Sequence, residues 1–119
     1  MALTHVELEI ANPADPRRRA RVSSLVDSGA TFSVVQGTLL RRLGIRPHSK
    51  RTFILANGQK VERQLGDAIF FYQGQRGAAP VIFGNRGDSD LLGSVTLEAL
   101  GLVLDPLRRE LKPLPLMLA

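Results

Sequence analysis

The 119-residue chain has no cysteine and no tryptophan, one tyrosine, and 5% aromatic residues in all. Without cysteine there can be no disulfide staple, no thiolate nucleophile and no cysteine-bearing zinc site. Histidine is nearly as scarce. His5 lies in an alternating stretch and His48 beside Pro47 in a loop, far apart and without ligand spacing. Both read as surface residues, so no metal is expected. The shortage of aromatics removes the stacking platform on which single-stranded nucleic acid binds. Nucleic acid is therefore not expected as a partner, although 16 basic residues stand against 11 acids for a net charge of +5. Those charges scatter over Arg17 to Arg19, Arg21, Arg41, Arg42, Lys50, Arg51, Arg108 and Arg109, and read as a solvated surface. No run approaches the ~18 apolar residues of a membrane span, so no membrane partner is expected. Met1 to Ile10 carries neither the basic n-region nor the apolar h-region of a signal peptide. The expected location is cytoplasmic.

What is present is 44% hydrophobic residues, enough for a packed core in one domain over residues 1–119. A chain of this size buries roughly two-thirds of its unfolded surface, so a partner subunit would help it.

Strand signals dominate. Thr4, Val6, Leu8 and Ile10 alternate with His5, Glu7 and Glu9. Asn12 to Pro16 predicts a loop with the basic run Arg17 to Arg19 at its end, and Ala20 to Val26 a returning strand. Ser33 to Val35 predicts a short strand. Thr38 to Leu43 predicts a short helix capped by Thr38 and closed by Gly44. Arg51 to Ala56 and Gln59 to Leu65 flank Asn57-Gly58, a strong signal for a two-residue hairpin turn. Asp67 to Tyr72 and Pro80 to Phe83 predict further strands, with Pro80 at the start of the second. Asn85 to Asp90 predicts a solvated polar loop. Ser94 to Leu100 predicts a second short helix capped by Ser94 and closed by Gly101. Leu102 to Leu104 and Leu107 to Leu111 flank Asp105-Pro106 and predict a last hairpin or a bent strand. The tail from Pro113 to Ala119, with Leu114, Leu116, Met117 and Leu118, is apolar and is expected to be docked. The class is mostly β, a barrel or sandwich of short strands.

The segment Ser24-Leu25-Val26-Asp27-Ser28-Gly29-Ala30-Thr31 carries the chemistry. A strand delivers a carboxylate to a tight turn, and Gly29 lets the backbone approach closely. An Asp-Ser-Gly tripeptide alone is also an ordinary turn sequence. A second feature changes its weight: Leu91-Leu92-Gly93 leads directly into the second helix, with the Asn57-Gly58 hairpin in between.

In this order of motifs the sequence resembles the retropepsin-like aspartic proteases, over about Val6 to Leu111. The resemblance implies an all-β closed barrel with a flap hairpin and one or two short helices. It implies that Asp27 is the catalytic carboxylate and that Ser28, Gly29 and Ala30 complete the active-site loop. Ala56, Asn57, Gly58 and Gln59 map onto the flap tip, and Leu91, Leu92 and Gly93 onto a segment that threads past the active loop. No metal or organic cofactor is implied. The sequence departs from retroviral enzymes in having Ser94 after Gly93, Thr31-Phe32 after Ala30, and a single glycine at the flap tip.

Peptide hydrolysis by an activated water needs one group to take a proton and another to give one. Two close carboxylates can do this because both cannot ionise at once. The chain holds a single Asp-Ser-Gly, so a second catalytic carboxylate has to come from a second copy of Asp27, in a two-fold homodimer acting on an extended peptide or protein substrate. The alternative on the same fold is a module that binds peptides or self-associates without cleaving. A basic nucleic-acid-binding β domain is a third class, disfavoured by the lack of aromatics.

Overall fold

The computed structural model describes residues 4–115 and 118. His5–Asn12 (β1) and Asp15–Val26 (β2) form an antiparallel hairpin with Leu8 opposite Val22 and Val6 opposite Ser24. The period-two pattern sends Leu8 and Ile10 into the core and leaves His5 and Glu7 exposed. β2 begins at Asp15 rather than Ala20. The turn is only Pro13-Ala14, held by Ala14 N–H donating to Asn12 Oδ1 at 2.8 Å. Arg17 to Arg19 therefore lie within a strand and not in a loop. Arg17 pairs with Asp15, and the Arg19 guanidinium rests 4.3 Å from the centre of the Phe71 ring.

Ser33–Gln36 (β3) leads into the helix Gly37–Arg42 (α1), which has no side-chain cap; Thr38 is helical, not a cap. Gly44 closes the helix at φ +82° as expected. Ser49–Ile54 (β4) and Lys60–Tyr72 (β5) form the central hairpin. Its loop has three residues instead of two. Leu55 N–H bonds Gln59 C=O, Gly58 N–H bonds Leu55 C=O, and Gly58 sits at φ +85°. This is a turn followed by a left-handed glycine, the other common way to close a hairpin. Gln75–Gly84 (β6) returns along β5, and Pro80 falls inside it opposite Asp67 rather than at its start. Leu91–Leu92 (β7) precedes the helix Ser94–Ala99 (α2), and Leu102–Asp105 (β8) pairs with Glu110–Pro113 (β9) in a separate two-stranded sheet.

The larger sheet runs β1-β2-β7-β3-β6-β5-β4 and closes on itself, because β1 also pairs with β5 through Ile10 and Phe70. The result is a ring of strands, some long, as the all-β expectation required. β4 stays outside the ring, bonded only to β5. The core inside the ring gathers Ile10, Leu40, Phe70, Val81 and Leu92, each at most 1% exposed. Burial of each such side chain is worth about 1.5–3 kcal/mol.

Of the apolar tail, Leu114 is held by its N–H to Gly101 C=O at 2.8 Å, whereas Leu118 is fully exposed. Docking therefore stops short of Leu118. Leu116, Met117 and Ala119 lie outside the described residues. No described helix is long and apolar enough to cross a membrane.

Candidate active site

β7 runs between β2 and β3, the two strands that flank the Asp27 turn. It is parallel to β2, with Leu91 beside Leu25 and Leu92 beside Val26, and antiparallel to β3, with Leu91 beside Val34. The turn is tied to it directly: Asp27 N–H donates to Leu92 C=O at 3.0 Å. Within the turn, Ala30 N–H donates to Asp27 C=O and Gly29 N–H to Asp27 Oδ1, at 3.1 and 3.0 Å. Gly29 contributes through space. A Cβ there would stand 3.3 Å from Asp27 Oδ1. Asp27 and Ala30 are half-buried, and Ser28 and Gly29 are exposed.

The segment after β7 locks the loop from beneath. Ser94 and Val95 N–H groups donate to the Ala30 and Thr31 carbonyls at 2.8 and 3.0 Å. These are the first donors of α2, normally left without partners at a helix start. That explains why α2 needs no side-chain cap and why Ser94, expected as the cap, is instead its first residue. Ser33 Oγ accepts from Gly93 N–H at 2.9 Å and bonds Thr96 Oγ1 at 2.6 Å, with both side chains fully buried. Gly93 is obligatory here, since a Cβ would meet the Phe32 and Thr31 backbone at 2.7 to 2.9 Å.

A cleft of about 630 Å³ opens between this loop and the β4–β5 hairpin. Gly29, Ala30 and Leu91 line it, together with Phe32, Val34, Phe53, Ile54, Leu55, Val61 and Ile82. Phe32 and Phe53 meet edge to face with ring centres 6.5 Å apart, so the hairpin rests against the active loop. Asp27 itself stands beside the cleft rather than in its wall, and the tip residues Ala56, Asn57, Gly58 and Gln59 project beyond it, all exposed. Ser28, on the other side of the turn, borders a smaller, mostly apolar groove with Ser94, Leu97, Leu102, Leu104 and Leu114.

The loop 85–90 is exposed at Asn85, Arg86, Gly87 and Ser89, as its composition predicts, but its two acids are held. Arg63 of β5 grips Asp88 with two bonds, Nε to Oδ2 at 2.8 Å and Nη2 to Oδ1 at 3.1 Å, and both residues line the cleft. The Arg63 guanidinium holds the Asp88 carboxyl below the usual carboxylate range. Asp90 is half-buried, and burial pushes its carboxyl up against the opposing effect of a 3.1 Å bond from Gln36 N–H. Phe32, Phe53, Arg63 and Asp88 are site residues that sequence patterns did not single out. Only Phe32, next to the active loop, carried a positional hint. His48 is exposed as expected, with Nε2 3.2 Å from Asp67 Oδ1. Among the described residues, no group of three or more His, Asp or Glu could hold a metal ion.

The sequence pattern of the aspartyl protease family matches residues 6–68, more than half of the chain. The chain belongs to the aspartyl protease family. Its fold is that of the retropepsin-like members. The chain is similar to the solution structure of the simian foamy virus (mac) protease at 22% identity, with a TM-score of 0.52, over 78% of this chain and 92% of that one. No curated protein matches the chain. The turn at Asp27 lies within the matched residues. The β7 segment that holds it lies after them.

Proposed function

We propose that the chain is an aspartic endopeptidase that works as a homodimer, with the Asp27 carboxylates of two copies sharing the reacting water. The observation that carries this reading is the placement of Asp27. It opens a turn braced by β7, beside an apolar cleft, and its carboxylate has a single local bond, to Gly29 N–H. The other acids on this side are engaged elsewhere, Asp88 by Arg63 and Asp90 by Gln36 N–H. One carboxylate takes the water's proton while the other, kept protonated by its neighbour, polarises the scissile carbonyl. The apolar groove bordering Ser28 supports a second copy on that side, which would bring the two turns together. The cleft's aliphatic and aromatic lining favours an extended peptide with apolar side chains, paired to the flap strand through its backbone.

The test is cleavage of a mixed peptide library across the acid-to-neutral range by the parent chain and Asp27→Asn. Loss of cleavage in a variant that still folds and dimerises is the expected result. An Asp27→Asn protein that cleaves as fast as the parent overturns the assignment. A parent that binds library peptides without cutting them supports the non-catalytic module instead.

A further inference from the structure

Among the residues lining the apolar cleft, Arg63 and Asp88 are the charged ones. Their side chains are only 17% and 29% exposed. Each nitrogen of Arg63 and both carboxylate oxygens of Asp88 already hold a partner. Arg63 Nε and Nη2 go to Asp88, and Nη1 goes to Glu62 C=O at 2.9 Å. Asp88 Oδ2 also accepts Asn85 N–H at 2.7 Å. The Gln36 side chain holds the same loop through Nε2 to Asp88 C=O at 2.8 Å. Both partners are thus fixed in place and cannot swing to meet a ligand.

We infer that Arg63 and Asp88 are specificity-determining residues, a self-neutralised pair that makes the adjoining subsite reject charged substrate side chains of either sign. This deepens the endopeptidase reading and rests on it. A Lys or Glu side chain entering the subsite would leave water among Phe32, Val34 and Ile82 and meet lining charges, Arg63 and Asp88, that already neutralise each other; the Arg51 guanidinium, 5.8 Å from the centre of the Phe32 ring, is not part of that lining. An apolar side chain loses nothing on entry. Selection against charge is then built from desolvation without any clash. The same logic predicts what happens when one partner is removed. The survivor becomes a half-buried, uncompensated charge, and a substrate side chain of opposite sign supplies its partner. Arg63→Met would convert the subsite to one that takes Lys, and Asp88→Asn to one that takes Glu.

The experiment uses peptides of one parent sequence in which each position in turn is Leu, Gln, Glu or Lys. They are offered to the full chain, Arg63→Met, Asp88→Asn, and the exchanged pair Arg63→Asp with Asp88→Arg. The readout is the ratio of kcat/KM for charged against Leu peptides. At one position the parent should favour Leu over both Glu and Lys by about 100-fold, the discrimination that one well-matched pocket supplies. Arg63→Met should raise the Lys ratio at that position about 10-fold or more and lower the Glu ratio, and Asp88→Asn should do the reverse. The exchanged pair restores neutrality and should move both ratios back toward the parent's, short of full recovery because the Glu62 carbonyl and Asn85 N–H suit only the native arrangement. Urea denaturation of each variant separates altered preference from unfolding. Unchanged ratios in both single variants, or shifts of the same sign in both, overturn the inference. The same peptides are also bound to the Asp27→Asn chain, with and without the Arg63 and Asp88 changes, and followed by amide shifts at Phe32 and Phe53. If the parent cuts no peptide yet the binding preferences invert as stated, the endopeptidase reading fails and the specificity pair stands. If peptides are cut or bound with no inversion, the pair fails alone.

Discussion

Asp27 and Leu92 are joined by one main-chain hydrogen bond, the Asp27 N–H to the Leu92 carbonyl at 3.0 Å. That bond makes the position of the carboxylate depend on a segment far along the chain. Leu92 is 1% exposed and cannot shift without disturbing the core, so the turn inherits the rigidity of the interior. The loop is otherwise exposed at Ser28 and Gly29. A reactive group on a surface turn is thereby placed as firmly as a buried one.

Gly93→Ala should disrupt this arrangement. Its Cβ would press on the Phe32 and Thr31 backbone at under 3.0 Å. Overpacking of this kind costs about 1–3 kcal/mol, and here the backbone atoms have nowhere to yield. Gly58→Ala is the contrast. It meets open space, but at φ +85° it strains the backbone by about 1–2 kcal/mol. Urea denaturation measures both, and the first should also lower any cleavage because the Asp27 turn moves with Phe32. A Gly93→Ala protein as stable as its parent would mean that the close approach of β7 to the loop is wrong.

Stability should pass through a maximum in mild acid. Asp90 has its carboxyl raised by burial, so its ionised form weighs against the fold at neutral pH. As pH falls through that raised value the folded state takes up a proton first, and stability rises. Asp88 has its carboxyl lowered, chiefly by Arg63. Its contribution is complete above the unfolded value of about 3.9 and is lost as pH falls through the lower folded value. Melting temperature against pH should show a rise and then a fall. Asp90→Asn should flatten the rise and Asp88→Asn the fall. A parent profile that only falls on acidification contradicts the part assigned to Asp90.

The hairpin tip should exchange its amide hydrogens quickly while the ring does not. Ala56 to Gln59 are exposed and β4 bonds to β5 alone, whereas Val26 and Leu92 are buried in the closed sheet. Near the tip, Phe53 restrains the hairpin against Phe32, over which Arg51 of the same strand also lies at 5.8 Å. Phe53→Ala should therefore speed exchange at Leu55, whose N–H bonds Gln59 C=O, without changing Leu92. Equal protection at the tip and in the ring would remove the flap interpretation.

Dilution should switch the proposed activity off. With one Asp27 per chain, each site needs two chains, so specific activity should drop below the dimer dissociation constant. Excess Asp27→Asn chain should inhibit by forming dimers that hold one carboxylate and one amide. Sedimentation alongside the assay decides this. A fully active monomer, or mixed dimers that do not inhibit, would sink the proposal.

Local pattern was enough to identify much of this protein. Alternation in Val6 to Ile10 marked a strand with one buried face, and Asn57-Gly58 marked a hairpin tip. The pairing of Asp27-Ser28-Gly29-Ala30 with Leu91-Leu92-Gly93 pointed to the family, because a carboxylate on a tight turn and a glycine-ended apolar segment are each written in adjacent residues. The two-residue turn expected at Asn57-Gly58 became three, since the same dipeptide suits either closure and the strand register makes the choice. What the tertiary structure alone decided lies between distant residues. The insertion of β7 between β2 and β3, the closure of β1 on β5 and the uncapped start of α2 on the Ala30 and Thr31 carbonyls leave no periodic trace in the chain. The grip of Arg63 on Asp88 is of the same kind. In sequence these are an arginine in a strand and an aspartate in a polar loop, and only their packing into one cleft wall makes them partners. Hydrophobic periodicity reports which face of an element is buried, whereas hydrogen bonds and ion pairs between elements depend on which faces meet, and that is settled by the closing of the ring.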